Sequence, residues 1–237
     1  MFTFSLFISI GAVLGLSWAI LDLKEKHAFR VIDSSLGVLL GGLLGSRAFF
    51  VAVHWSYYQE HLLEIPQVWA GGLSSTGALA GAFVAWLILA GLNRQNSAAL
   101  ADQLFPVLML VAVAAWLGCW LEGIAYGPLA GGAGWSLPAR DEWGVFAARF
   151  PTQLSGAVLT SGWFWLIETQ GKRRKLLPGW VAAWGFWGLS VILTGLSFLR
   201  ADPVLYWQGL RLDTWGGFSL VLVSLICIFL RWRLKER

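Results

Sequence analysis

The placement of charged residues constrains this chain more than any other feature, because it leaves seven long intervals that carry almost no charge. The 237 residues are 57% hydrophobic and only 13% charged, a composition that excludes a soluble domain. A helix of about 20 residues crosses a hydrocarbon core of about 30 Å and pairs its backbone groups internally. We therefore predict an all-α integral membrane protein, one transmembrane domain over residues 1–237, with seven spans: 1–21, 34–59, 72–92, 103–121, 150–167, 176–199 and 214–230.

The basic residues between these spans fall mostly on one side of the membrane. Since cytoplasmic loops collect Lys and Arg, this asymmetry predicts an outside N-terminus and a cytoplasmic C-terminus. The predicted cytoplasmic side holds Lys24, Lys26, Arg30, Arg94, Lys172, Arg173, Arg174, Lys175, Arg231, Arg233, Lys235 and Arg237. The predicted outer side holds Arg140, Arg149, Arg200 and Arg211.

The run Lys172 to Lys175 is interpreted as a topology anchor, although a patch for anionic lipid or nucleic acid has the same composition. We expect no nucleic-acid partner. Cys119 and Cys227 lie in apolar stretches and look like buried thiols, so no metal site or cofactor is expected. The outer stretch 123–149 is rich in glycine and is expected to form a small extracytoplasmic cap or arm.

Several polar residues fall in the outer half of the predicted bundle, where an ionisable side chain is costly and is a functional candidate by default. A cavity facing the outer leaflet explains them together, and arginines around it suit the phosphate of an anionic phospholipid. The alternative is a structural ion pair between Arg47 and Glu122. His54 is interpreted as interfacial and Glu168 as solvated. The polar residues that define the cavity are Arg47, Ser74, Ser75, Thr76, Glu122, Gln153 and Arg200.

Five stretches resemble the prolipoprotein diacylglyceryl transferase family and occur in that family's order. They match its Gly-x-Arg segment, its Trp-x-Gly-Gly-Met-Ser-x-His-Gly stretch, its signature on the fourth span, its Arg-His-Pro-Ser/Thr-Gln-Leu element and its Phe-Phe-Arg segment. The matching stretches here are GSR at 45–47, WAGGLSSTG at 69–77, LGCWLEGIAYG at 117–127, RFPTQL at 149–154 and FLRADP at 198–203.

The resemblance implies a multi-pass protein of the inner (plasma) membrane, with phosphatidylglycerol as lipid partner and a lipoprotein precursor as the acceptor of a diacylglyceryl group. The matched positions keep Arg47, Ser74, Arg149, Gln153 and Arg200, which we assign to lipid binding. Other positions depart from the family's pattern. Its histidine falls on Thr76, its signature arginine on Trp116, its two asparagines on Cys119 and Glu122, its signature glutamate on Ile124, and a further arginine and glutamate on Leu193 and Ser197.

These departures leave the enzymatic activity open. The favoured hypothesis is a family-like membrane protein with an outer-leaflet phospholipid cavity and a degenerate catalytic site. One alternative is an active transferase in which Glu122 replaces the missing base. Another is a non-catalytic subunit of a larger membrane complex. A small transporter or channel is less consistent with the sparse intramembrane charge.

The topology predicts that a cysteine introduced by Arg173→Cys escapes an impermeant thiol reagent added to intact cells. Trp143→Cys, in the predicted outer arm, serves as the positive control, and the parent chain reports any reaction of Cys119 or Cys227. Modification at position 173 together with protection at position 143 would show that the orientation is reversed.

Overall fold

The computed structural model describes residues 2–21, 23, 25–92, 96–131, 134–173 and 176–235. A short helix, α3 (Trp55–Tyr58), and two 3-10 turns, Leu62–Glu64 and Val68–Ala70, follow the second long helix. The long helices within these residues follow the charge-free intervals. They are α1 (Phe2–Ile20), α2 (Glu25–Val53), α4 (Ser75–Leu92), α5 (Ser97–Glu122), α6 (Thr152–Arg173), α7 (Trp180–Ser197) and α8 (Leu212–Lys235).

In the described part of the chain, six of these helices are long and apolar enough to cross a membrane: α1, α2, α4, α5, α7 and α8. The all-α membrane architecture is therefore confirmed. Helix α6 has 22 residues but is more polar, and it buries Thr152, Gln153 and Thr160 against its neighbours. The seventh crossing and the orientation stay predictions. Part of the charge pattern behind the orientation lies outside the described residues, namely Lys24, Arg94, Arg174, Lys175 and Arg237.

Helix α5 lies at the centre of the bundle and packs against α1, α6 and α7. Asn96 caps its start, because the side-chain oxygen accepts hydrogen bonds from the backbone N–H groups of Ala98 and Ala99. Its end is set by Gly123, whose φ of 69° is a left-handed conformation that glycine adopts without strain. Phe105 and Met109 are fully buried on this helix and form the core with Phe164 and Leu189.

Helices α2 and α4 form a close antiparallel pair that touches the other helices more sparsely. The approach depends on glycines: a Cβ atom added at Gly45 would lie 2.6 Å from the carbonyl oxygen of Gly77. Because small residues let two backbones approach in lipid, the spacing of Gly37, Gly41 and Gly45 is explained by packing.

Two β-hairpins lie at one end of the bundle, which we call the hairpin end. The first joins β1 (Leu137–Arg140) to β2 (Phe146–Arg149), and the second joins β3 (Tyr206–Trp207) to β4 (Leu210–Arg211). The first hairpin lies within 123–149, where an arm was expected; residues 132–133 are outside the described part. The opposite end carries Lys172, Arg173, Arg231 and Arg233, and we call it the basic end.

Candidate functional site

The antiparallel packing of the helices brings the candidate residues to the hairpin end. There α2, α5 and α7 end, and α4, α6 and α8 begin. Within this end the residues form two groups. Arg47 and Ser74 lie where α2 meets α4, whereas Arg149, Gln153 and Arg200 lie where α5, α6 and α7 converge. Glu122 faces a third neighbour, the start of α1.

Arg47 is 6% exposed, and its guanidinium is held by backbone carbonyls. Nε donates to Ile65 O at 2.8 Å, Nη2 to Glu64 O at 2.6 Å, and Nη1 to Gly71 O at 2.6 Å and Gly72 O at 3.2 Å. The charge also lies 5.2 Å from the centroid of the Tyr58 ring, within range of a cation–π interaction. Arg47 thus fixes the chain between α3 and α4.

No carboxylate of a described residue lies within ion-pair distance of Arg47. The alternative of an Arg47–Glu122 ion pair is therefore wrong. Glu122 instead accepts a hydrogen bond from the backbone N–H of Phe4 at 3.3 Å. A carboxylate at a helix N-terminus stabilises the helix dipole and an otherwise unpaired N–H group.

Ser74 is the residue before α4 and acts as its cap. Its hydroxyl accepts from Gly77 N at 3.3 Å, which satisfies one of the free N–H groups of the first turn. Ser46 ties the same turn to α2, since its hydroxyl donates to Ser74 O at 2.9 Å. Both serines therefore connect α2 to the start of α4.

Arg149 and Gln153 lie on either side of Pro151 and face the chain that leaves α5. Arg149 Nη2 pairs with Asp141 Oδ2 at 3.0 Å, and its guanidinium lies 4.5 Å from the centroid of the Tyr126 ring. The amide of Gln153 donates to Ile124 O at 2.9 Å. Among the described residues, the buried atoms Arg149 Nε and Gln153 Oε1 have no hydrogen-bond partner.

Burial and a hydrogen bond to Glu142 raise the pKa of the Tyr126 hydroxyl above its usual value. A tyrosine with a raised pKa stays neutral, so this ring presents no negative charge to Arg149. The backbone of Tyr126 also accepts a hydrogen bond from Ala201 N at 2.8 Å, which joins this region to the end of α7.

Arg200 belongs to a network of two arginines and two aspartates that sequence reasoning missed. Its guanidinium contacts both oxygens of Asp202, at 2.9 and 2.5 Å, and Asp213 Oδ2 at 3.2 Å. Arg211 donates to Asp202 O at 2.8 Å and to Asp202 Oδ1 at 3.1 Å. Burial opposes the charge on Arg200, yet the two carboxylates hold its pKa above the usual value. The sequence signal that could have predicted this network is the Arg-x-Asp pattern, which occurs at 200–202 and again at 211–213.

One apolar cluster, which we call the Trp116 cluster, contains several positions at which the resemblance places polar residues of the family. Trp116 is 6% exposed, and its ring fills the space beside Gly156. The cluster consists of Trp116, Ala125, Ala157 and Leu196, with Val113, Leu117, Cys119, Ile124, Ile192 and Leu193 packed against them.

Ser197 and Thr76 place hydroxyl groups at two further positions where the resemblance expects a glutamate and a histidine, respectively. Ser197 donates to Thr194 O at 2.6 Å and shares a hydrogen bond with Thr214 at 2.8 Å. Thr76 packs beside Gly216 of α8, where any side chain at 216 would collide with it. Ser197, Thr214 and Thr76 are thus polar but carry no charge.

The two remaining ionisable candidates, His54 and Glu168, also have partners within the bundle. His54 stacks on Phe50, with ring centroids 4.1 Å apart, and its Nδ1 lies 2.9 Å from Phe50 O. Glu168 was expected to be solvated, but its side chain is only 18% exposed. Its carboxylate forms an ion pair with Lys172 at 3.1 Å and accepts a hydrogen bond from the indole N–H of Trp18 in α1 at 3.2 Å.

Comparison with known proteins gives a match over almost the whole chain. The family model for prolipoprotein diacylglyceryl transferase matches residues 1–230. A phosphatidylglycerol–prolipoprotein diacylglyceryl transferase of Thermosynechococcus vestitus is 27% identical over 92% of this chain and 87% of the relative. A protein of the same name from Streptococcus suis is 27% identical over 97% of this chain and 88% of the relative. Another, from Bacillus licheniformis, is 33% identical over 48% of this chain and 43% of the relative.

These matches confirm the resemblance that was based on five short stretches. Together with the six apolar helices, they also bear out the expected location, an inner (plasma) membrane that the chain crosses several times.

The contacts of Arg47 predict that Arg47→Lys loosens the segment between α3 and α4. An ammonium has three donors on one atom and cannot span these carbonyls, whereas a guanidinium can. A hydrogen bond to a charged group contributes about 1.5–3 kcal/mol, so amide exchange at Ile65 and Gly71 should accelerate at least tenfold, roughly the factor that 1.4 kcal/mol corresponds to. Hydrogen-exchange mass spectrometry measures this, with α5 as the internal control. Unchanged exchange at 62–72 would contradict the assigned role.

Proposed function

Because this chain belongs to the prolipoprotein diacylglyceryl transferase family, we propose that it binds an anionic phospholipid at the hairpin end without transferring the diacylglyceryl group. The observation that carries this proposal is the Trp116 cluster. It collects, in one apolar region, four positions at which the resemblance expects polar side chains: Trp116, Cys119, Ile124 and Leu193.

The chemistry of the family's reaction explains why this matters. Attack by a cysteine requires a thiolate, and hence a base that accepts the thiol proton. Departure of glycerol phosphate requires donors or cations placed where negative charge develops. Apolar side chains supply neither. They also remove polar groups that would otherwise orient the headgroup.

The hydroxyl groups do not restore what is missing. Thr76 stands at the position of the family's histidine, and a threonine hydroxyl does not accept a thiol proton near neutral pH, whereas an imidazole with a pKa near 6.5 does. Ser197 stands at a glutamate position, and its hydroxyl is already bonded within the network that includes Thr214. A neutral network of this kind supports helix packing.

Lipid binding, in contrast, has support from the contacts of Arg149. Arg47 and Arg200 use most of their donors on carbonyls and carboxylates, respectively. Among the described residues, Arg149 uses only Nη2 in hydrogen bonding, so this mostly buried guanidinium keeps donors that phosphate oxygens can accept. Gln153 Oε1 also lacks a hydrogen-bond partner, but Gln153 is fully buried, so a headgroup hydroxyl reaches it only if neighbouring side chains move. In this proposal Arg47, Ser74 and Arg200 position the surrounding chain.

This assignment predicts opposite results for the two members of one ion pair. Arg149→Gln should lower the retention of phosphatidylglycerol by at least fivefold, because it removes the charge that faces the phosphate. Asp141→Asn should keep or increase retention, because it frees another donor of Arg149. Native mass spectrometry of the purified variants measures the bound lipid.

Equal losses in both variants would mean that the ion pair only holds the arm, and the phosphate role would then fall. A thermal unfolding curve for each variant identifies a loss that is due to unfolding. Retention that is unchanged in Arg149→Gln would also contradict the proposal.

An active transferase with Glu122 as the base is the competing function. Glu122 is engaged by the first turn of α1 through Phe4 N, and this contact suits a helix cap. A non-catalytic subunit of a larger complex is compatible with the same site and differs only in having a protein partner.

We predict that expression of this chain fails to restore lipoprotein maturation in a cell depleted of its own transferase. The loss of a positioned base alone costs about 10²–10⁴ in rate, and the missing polar groups lower it further. Processing of a lipoprotein, followed by gel mobility, is the measurement, and the membrane level of the chain is the expression control. Rescue that Glu122→Gln abolishes would establish the competing function instead.

A further inference from the structure

A second feature lies at the basic end, away from the arginines of the hairpin end. A groove of about 480 Å³ lies between α6 and α7 there. Leu166 and Ile167 form one wall, Val181 and Trp184 form the other, and the side chains of Gln170 and Trp180 lie toward the end of the helices. The groove is therefore mostly apolar, with a few polar groups.

Arg173 does not line this groove, but it lies one turn beyond the lining residue Gln170 on the same side of α6. Residues three, four and seven apart share one face of a helix, so Leu166, Gln170 and Arg173 lie in one row. Arg173 is exposed, and no carboxylate of a described residue pairs with it. Its neighbour Lys172 faces elsewhere, since Nζ contacts Glu168 at 3.1 Å and lies 5.5 Å from the centroid of a Trp18 ring.

The wall formed by α7 is held in place from another helix. Asp102 of α5 accepts hydrogen bonds from Gly179 N at 2.6 Å and from Ala182 N at 2.8 Å. A carboxylate in this position satisfies free N–H groups of the first turn and stabilises the helix dipole. The start of α7, and with it one wall of the groove, is thereby fixed against α5.

We propose that this groove binds one anionic phospholipid from the leaflet at the basic end. An acyl chain lies between α6 and α7, and the phosphate pairs with Arg173, whose guanidinium can grip two phosphate oxygens. The Trp180 indole lies at headgroup level, where amphipathic rings are favoured. Charge complementarity selects an anionic lipid over a zwitterionic one.

A second groove on the molecule provides an internal comparison. It lies between α2 and α4, has about 430 Å³, and is lined by residues such as Gly41, Gly81 and Ile88. No charged residue lines it, so we expect lipid chains to occupy it without preference for a headgroup. The α6–α7 groove has no charged lining residue either, but Arg173 lies one turn beyond it.

Photocrosslinking with lipid analogues tests the proposal. The intact protein is placed in nanodiscs that contain either phosphatidylglycerol or phosphatidylcholine with a photoreactive acyl chain, and labelled peptides are mapped by mass spectrometry. Peptides of the α6–α7 groove should be labelled several times more strongly by the anionic analogue. Arg173→Gln should lower that labelling about fivefold, as expected for about 1 kcal/mol per basic residue near an anionic surface.

Lys172→Gln is the matched control, because it removes the same charge one residue away on another face of α6. Labelling should stay within twofold of the parent in this variant. Equal losses in both variants would show a diffuse surface charge effect and overturn the proposal, as would equal labelling by the two lipids. The outcome is independent of lipid binding at the hairpin end, since the labelled peptides differ.

Discussion

The buried guanidinium groups at the hairpin end impose the constraint on which the rest of the structure depends. A charge in a weakly solvated environment is tolerated only when it is paired or hydrogen-bonded. Arg47 meets this requirement with four carbonyls, Arg149 with Asp141, and Arg200 with Asp202 and Asp213. Each pairing also fixes a segment that connects two helices, so the arginines organise the hairpin end of the bundle, where we propose that a lipid headgroup binds.

The residues that position the chain can be distinguished from the residues expected to take part in the reaction. Residues that hold the chain in place match the family's pattern, whereas many positions expected to act on the substrate do not. In place of several polar side chains the protein has the Trp116 cluster, which packs α5 against α6 and α7. In our proposal, the family fold persists here with a site that supports helix packing and lipid retention. Fold and chemistry are separable because they depend on different residues.

Much of the fold could be predicted from the sequence, because charge-free intervals and lipid thickness determine where helices form. The boundaries of α4 and α7 lie within a few residues of the expected spans. The partners of Arg47 could not be predicted, since four carbonyls of an irregular segment leave no pattern in side-chain identities. Glu122 lay at the expected end of α5, but its contact with Phe4 depends on how α1 packs, which no local signal encodes. The Arg200 network was readable only from the repeated Arg-x-Asp spacing.

The most direct test of the account is a transfer assay with the purified protein, phosphatidylglycerol and a lipoprotein-precursor peptide that carries the acceptor cysteine. Diacylglyceryl-modified peptide is quantified by mass spectrometry, with an active family member assayed in parallel. The account predicts that phosphatidylglycerol copurifies with or binds to the protein while no modified peptide forms above the level without protein. Repeated turnover that yields several modified peptides per protein molecule would contradict it, because the Trp116 cluster offers neither a base nor a cation for that reaction.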